Sequence, residues 1–279
     1  MSLDDLLNKI HHSDALELLA RLPDASVDMV LADMPYGVTD CKWDTPLPLE
    51  PLWKELKRIA KPRSVFAFTA TEPFATTLRM SAIDLYKYDW FWANKECPTL
   101  FIHAKNRPMR IIENVCIFSK GAINHKSVSK RRMPYNPQMR EGKAYNRFRL
   151  NNESQFGSIT GHRPSHKLTY GINEGRYPID LLEFGNSNHN NLHPTQKPVA
   201  LFEYLIKTYT QEGEIVLDMT CGSGTTAIAA RKCNRQFICG DLELEYVEIA
   251  RKRLQDTDPF QDTVLSNGQK QMSLFRGME

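Results

Sequence analysis

The chain lacks any apolar run close to the roughly 18 residues that a membrane-spanning helix needs. Its first ten residues, MSLDDLLNKI, carry no signal-peptide pattern, so neither a membrane protein nor a secreted one is expected. Cysteine is sparse: there are six, with no C-x-x-C pair. Cys116 and Cys239 fall in apolar, strand-like stretches and read as reduced core residues of a cytoplasmic protein. Histidine adds little. His162/His166 and His189/His193 have i, i+4 spacing, but they sit among glycine and asparagine with no cysteine nearby. A zinc site needs three or four ligands, so no metal is expected. After Gly222 and Gly224 the third glycine of the dinucleotide spacing is missing, and a bound pyrophosphate is not indicated.

What is present is enough for a large core: 279 residues, 41% of them apolar. Net charge is only +3 but is unevenly placed. Residues 121–176 hold eleven Lys/Arg against three Asp/Glu, a net of +8, while the rest holds 25 against 30, a net of −5. Aromatics (Tyr135, Tyr145, Phe148, Phe156, Tyr170) and amides are mixed into the basic stretch. A basic segment on an acidic body points to a phosphate-backbone partner, that is, nucleic acid.

Periodicity gives an alternation of strands and helices. Residues 3–22 read as a helix followed by a turn, 27–33 as a strand, 51–60 as a helix ending before Pro62, and 64–69 as a strand. Residues 74–82 read as helix, and 89–93 and 114–118 as strands. From 121 to 176 no period of two or 3.6 is sustained, so this stretch reads as an inserted, loop-rich lobe. Order returns at 177–184. Then come a helix after Pro198, a strand at 214–218, a helix at 225–233, a strand at 237–241 and a helix at 243–254. The polar tail from 256 reads as loose. The expected organisation is one α/β domain built from 1–120 and 177–255, interrupted by the lobe at 121–176 and followed by the tail 256–279.

Two constellations carry chemistry. Val27–Ala32 runs into Asp33-Met34-Pro35-Tyr36, which sets a carboxylate, a proline and an aromatic ring at a strand's carboxyl edge, where open α/β sheets bind ligands. Such a set suits chemistry on a flat, amino-bearing ring. The second is the strand Ile215–Asp218, the turn Met219-Thr220-Cys221-Gly222-Ser223-Gly224, and a helix that Thr225 or Thr226 can cap. Asp241 follows Asp218 by 23 residues, where nucleotide-binding α/β folds place a ribose-binding acid. Between them lies His193-Pro194-Thr195-Gln196-Lys197-Pro198, a rigid turn leading into a helix.

Taken together and in this order, the Asp-x-Pro-Tyr corner, the variable lobe, HPTQKP and DMTCGSGTT resemble the β-class DNA amino-methyltransferases. These enzymes use S-adenosylmethionine to methylate an exocyclic base amine. The resemblance covers roughly residues 10–255 and implies a Rossmann-like fold, with a central, mostly parallel sheet, helices on both faces and an inserted target-recognition lobe. It implies that Asp33 and the carbonyl of Pro35 accept from the target amine while Tyr36 stacks on a base flipped out of duplex DNA. It places Asp33, Asp218, Gly222, Gly224 and Thr225 around the cofactor and Asp241 on its ribose. It sets Asp14 near the adenine, and Thr195 and Lys197 at the methionine end. Position 34 departs from the family pattern: methionine stands where proline is commonest. An acid first in the tetrapeptide resembles the adenine-N6 enzymes. Cytosine-N4 methylation and a catalytically idle DNA-binding subunit of a restriction-modification system are the rivals, with RNA or glutamine methylation behind them. Gln271-Met272-Ser273-Leu274-Phe275 is similar to a peptide that docks on the replication sliding clamp. A homodimer is left open, and the resemblance implies a cytoplasmic, nucleoid-associated enzyme.

Overall fold

The computed structural model describes residues 2–37, 44–95, 98–123, 129–142, 145–147, 171–173, 175–185 and 196–257. Its organising element is the strand β2 (Val27–Asp33), whose near-continuous apolar sequence is that of a strand covered on both faces. Val30 and Ala32 point into one apolar cluster, Met29 and Leu31 into the other. The next strand, β3 (Ala60–Ala70), divides the same way, with Phe66 and Phe68 on the first side and Val65 and Ala67 on the second. This is the period of two in a pleated strand.

Around these lie β1 (Lys9–His12), β4 (Tyr86–Ala93), β5 (Ile112–Ser119), β8 (Leu181–Glu183), β9 (Ile215–Asp218) and β10 (Gln236–Asp241), in the spatial order β1-β10-β9-β2-β3-β5-β4-β8. Every neighbouring pair is parallel except the two made by β5. The carboxyl ends of β1, β10, β9, β2, β3, β4 and β8 therefore share one edge with the start of β5. Helices α1 (Ala15–Ala20), α2 (Leu49–Ile59) and α3 (Phe74–Ser81) cover one face. Helices α4 (Val199–Tyr209), α5 (Thr225–Lys232) and α6 (Leu244–Asp256) cover the other. On the first face the Trp53 ring meets Phe66, Phe68 and Phe118 at centroid separations of 5.6, 5.7 and 5.0 Å. Burying each such ring contributes about 1.5–3 kcal/mol, and Leu52, Leu56 and Ile59 bury the rest of the inner face of α2. The mostly parallel α/β architecture is the one expected.

The amino terminus is not. Residues 3–22 do not form one helix: Lys9–His12 pairs in parallel with Ile238–Asp241, and only Ala15–Ala20 is helical. Ladder hydrogen bonds to a strand more than 200 residues away outweigh local helix preference here. One consequence is that the early part of the chain supplies the outer strand beside β10, so the two expected halves interleave. Among the described residues, no helix is long and apolar enough to cross a membrane. Cys116 and Cys239 are buried free thiols, as read from the sequence, and burial pushes the Cys116 thiol up to about 12.

The chain divides into two compact units, one made of Met1–Asn136 with Asp180–Glu279, the other of Pro137–Ile179. The basic stretch at 121–176 is thus shared between them. Residues before 137 join the sheet-bearing unit: Met133 is buried in its core, and the Asn136 side-chain amide donates to the carbonyls of Lys207 and Thr210, each at 3.1 Å. Within the second unit, β6 (Tyr145–Arg147) and β7 (Gly171–Asn173) form an antiparallel pair.

Candidate active site

The chain leaves β2 at Asp33 and turns at once. Asp33 lies opposite Thr69 in the β2–β3 ladder, and one of its carboxylate oxygens accepts from the Thr69 hydroxyl and, at 2.6 Å, from the Tyr36 hydroxyl. Tyr36 bends back because its backbone N–H and that of Gly37 donate to one Asp44 oxygen, at 2.7 and 2.8 Å. Its ring stacks on Phe74 with centroids 5.3 Å apart and planes 29° from parallel. Met34, the departure from the expected tetrapeptide, is 3% exposed and packs into the core, so the corner is anchored by burial. Burial, then the charges of Asp33 and Glu113, push the Tyr36 phenol well above its ordinary range, so it donates and does not ionise.

Lys197, expected at the methionine end of the cofactor, stands against the Asp33 corner. Its side chain is 6% exposed, and its ammonium pairs with the second Asp33 oxygen at 2.9 Å and with Glu113 at 3.2 Å. Burial works against its charge, but the two carboxylates more than offset this and hold its pKa above the ordinary lysine value. One cation among two acids is thus locked in the charged state. Asp33 carries three of the about four hydrogen bonds that a carboxylate can accept.

The glycine turn lies beside this corner because β9 is the neighbour of β2. Gly222 and Gly224 have φ of +50° and +82°, the left-handed region that favours glycine. A Cβ on Gly224 would stand 2.8 Å from the Ala250 Cβ, so α6 can pass that close only to glycine. Asp218 is 2% exposed and accepts from the Thr220 N–H at 3.1 Å and from the Thr226 hydroxyl. Thr226 therefore holds Asp218 and does not cap α5. Thr225 does not cap it either: its hydroxyl donates to the Lys197 carbonyl at 3.4 Å, and the cap position is Gly224. Burial pushes the Asp218 carboxyl up to about 7, with Asp33 and Asp241 adding to the effect. Asp241, at the end of β10, accepts from the Gly222 N–H at 2.8 Å and from the Glu243 N–H at 3.0 Å.

The two constellations meet. The Thr220 hydroxyl donates to the Asp33 carbonyl at 3.2 Å, and the Ser223 hydroxyl donates to Gln196 Oε1 at 3.2 Å. The segment carrying Lys197 thus touches both the acid corner and the glycine loop. Asp14 lies nearby, since His12 pairs with Asp241 and the Ser13 N–H donates to the Asp241 carbonyl at 3.0 Å. Its carboxylate caps α1, accepting from the N–H groups of Leu16 and Glu17 at 2.8 and 3.2 Å. Pro35 is half-buried in the turn. Thr195, both histidine pairs and the peptide 271–275 lie outside the described residues. Among the described residues, no group of three His, Cys, Asp or Glu is placed to hold a metal ion.

Sequence reasoning missed Glu113, Thr69, Asp44 and Thr220. Thr220 was within reach, one residue into the glycine turn. The other three carry no local signal, because each reaches the corner by strand register or loop closure.

A doubly wound sheet that joins an acid–tyrosine corner to a glycine cradle of the nucleotide-binding kind defines an α/β enzyme working at the carboxyl edge of its strands. More closely, the chain belongs to the N6/N4 methylase family, whose model, described as DNA methylase, matches residues 27–252. It is a DNA methyltransferase of that family. It is 27% identical over 265 residues to the DNA adenine methyltransferase YhdJ of Escherichia coli, covering 88% of this chain and 82% of that one. Among solved structures it is similar to the M1.HpyAVI–SAM complex, with a TM-score of 0.57 and 23% identity, over 88% of this chain and 99% of the other. It is also similar to the cytosine-N4-specific PvuII DNA methyltransferase, with a TM-score of 0.58 and 18% identity, over 89% and 90% of the two chains.

Proposed function

We propose that this protein methylates N6 of adenine in duplex DNA, with S-adenosylmethionine as the methyl donor. One observation carries the reading: the Asp33 carboxylate and the Tyr36 ring stand at the end of β2, beside the glycine loop at the end of β9. The residues fit the cofactor. Gly222 and Gly224 keep Cβ atoms out of the cradle, buried Asp218 braces the loop from beneath, and half-buried Asp241 offers a carboxylate at the end of β10 to the ribose hydroxyls. When bound, S-adenosylmethionine supplies the electrophilic sulfonium methyl.

The chain's own task is to prepare the amine. An exocyclic amine is a poor nucleophile because its lone pair is delocalised into the ring. Asp33 and the Pro35 carbonyl accept its two N–H bonds, so the nitrogen becomes more tetrahedral and its lone pair turns toward the methyl. Lys197 holds Asp33 in place and offsets its charge, and Tyr36 covers the extruded base with the ring face turned away from Phe74. Adenine is favoured over cytosine by the acid at the first position of the tetrapeptide and by the likeness to an enzyme named for adenine.

The test is incubation with unmethylated plasmid DNA and labelled S-adenosylmethionine, followed by mass spectrometry of the nucleosides. N6-methyladenine is expected. N4-methylcytosine would move the assignment to the sister activity, and no labelled base would leave an idle DNA-binding subunit. In the same assay Asp33→Ala is expected to lose at least about 1,000-fold in kcat while cofactor affinity by calorimetry stays within a few-fold, since the group acts on the amine. Normal turnover in that variant would remove Asp33 from the mechanism.

A further inference from the structure

Opposite the glycine loop, beyond β3, the β4–β5 connection leaves the same edge of the sheet. It is an arm with a firm root. Ala93 pairs with Ile112, the Asn94 N–H donates to the Ile111 carbonyl at 2.8 Å, and Thr99 and Arg110 exchange two backbone hydrogen bonds of 2.8 and 3.1 Å. Beyond that root the chain makes a 3₁₀ turn at Phe101–His103, closed by the His103 N–H on the Leu100 carbonyl at 2.9 Å and the Ala104 N–H on the Phe101 carbonyl at 3.0 Å. Residues 101–109 are all exposed, and the tip presents two large apolar side chains, Phe101 at 77% and Ile102 at 85% exposure.

A soluble loop gains nothing by holding Phe and Ile in water, so adjacent apolar side chains on an ordered tip mark a contact surface. Charge names the partner. The stretch 97–112 holds His103, Lys105, Arg107 and Arg110 and no acidic residue. Among the described residues, neither Lys105 nor Arg107 is held in an ion pair. An apolar tip flanked by unpaired cations is complementary to stacked bases between phosphates, and a DNA methyltransferase of this family brings such a partner to this edge of the sheet. Position supports the same partner. Glu113, one residue beyond the root, reaches Lys197 at 3.2 Å, and Lys197 reaches Asp33 at 2.9 Å.

We propose that this arm is a DNA wedge: Phe101 and Ile102 enter the base stack where the target base leaves it, while Lys105 and Arg107 hold the flanking phosphates. The proposal rests on the reading of duplex DNA as substrate. Extruding a base leaves a gap whose refilling competes with the flipped state, and an apolar plug removes that competition.

The experiment starts by mapping the methylated position on plasmid DNA with the wild-type enzyme, then uses a short duplex with 2-aminopurine in place of the target base. The variant is Phe101→Ala/Ile102→Ala, whose fold is checked by its melting curve and by S-adenosylmethionine affinity. We expect unchanged cofactor affinity, a fall in kcat/KM of at least tenfold, and loss of the fluorescence rise that reports base extrusion. In Lys105→Gln/Arg107→Gln the slope of log Kd against log salt should fall by about two. Unchanged turnover and fluorescence in the alanine variant, with an active wild type, would overturn the wedge and leave the DNA reading standing. Loss of concentration-dependent self-association, with DNA kinetics intact, would assign the tip to a second copy of the chain and also overturn it. A wild type inactive on DNA would end both readings.

Discussion

Asp33 and Asp218 end adjacent parallel strands, yet the fold treats the two carboxylates differently. Asp33 faces a buried ammonium, a phenol and a threonine hydroxyl. Asp218 is more deeply buried and finds one hydroxyl and one backbone N–H, with its neighbours Asp33 and Asp241 of like charge. A cation is therefore built in on the side of the cleft assigned to the base. On the side assigned to the cofactor, hydrogen-bond donors alone support the acid, and its pKa rises to about 7. A buried charge is tolerated when paired and expensive when only hydrogen-bonded, and the two strand ends illustrate the two cases.

The largest effect should come from removing the cation. Lys197→Met leaves the partly buried Asp33 and Glu113 without their shared cation, and breaking such a pair costs up to about 3 kcal/mol. Denaturant unfolding is expected to show that loss, and adding Glu113→Gln should recover part of it. A Lys197→Met protein as stable as the wild type would mean that the ammonium is dispensable to the corner.

Asp218 should respond to pH instead. Its folded pKa, about 7, lies above the ordinary value of 3.8, so between those values the folded state holds a proton that the unfolded state has released. Stability from this group is complete below about pH 4 and is lost as pH rises through 7, a change on the order of a few kcal/mol. Asp218→Asn removes the titration. The melting temperature of the wild type relative to that variant should fall between pH 5 and pH 8, and parallel curves would show that Asp218 does not titrate there.

Two smaller effects probe the frame around the acids. Gly224→Ala must hold φ near +82° and push a methyl against Ala250, which should cost about 1–3 kcal/mol and weaken cofactor binding, measured by melting with and without S-adenosylmethionine. Asp14→Ala removes the two-donor cap of α1 at a cost of about 1 kcal/mol. If Asp14 also serves the cofactor's adenine, cofactor affinity falls further than stability does. An equal fall would leave it a cap alone.

Much of this was legible from the residues alone. The apolar run Val27–Ala32 reads as a strand, and the abrupt change to Asp33-Met34-Pro35-Tyr36 marks its end. Glycine at two places in the 219–224 turn allows left-handed dihedrals, and Gly222 and Gly224 both adopt them. The errors have a common cause. Lys9–His12 is too short and too polar to show a period, and only its partner β10 makes it a strand. The hydroxyls of Thr225 and Thr226 were assigned to a local cap because sequence reasoning sees neighbours, yet both were claimed by groups from outside the helix, the Lys197 carbonyl and the Asp218 carboxylate.

Local chemistry, then, was set by the sequence itself: which segments extend or coil, where the chain turns, and which residues at the turns can accept, donate or stack. These follow from steric and hydrophobic preferences within a few residues. The charge state of the site was decided only by the tertiary structure. Lys197, Glu113 and Asp33 come from three distant segments, and a salt bridge depends on a separation in space that strand order and register create.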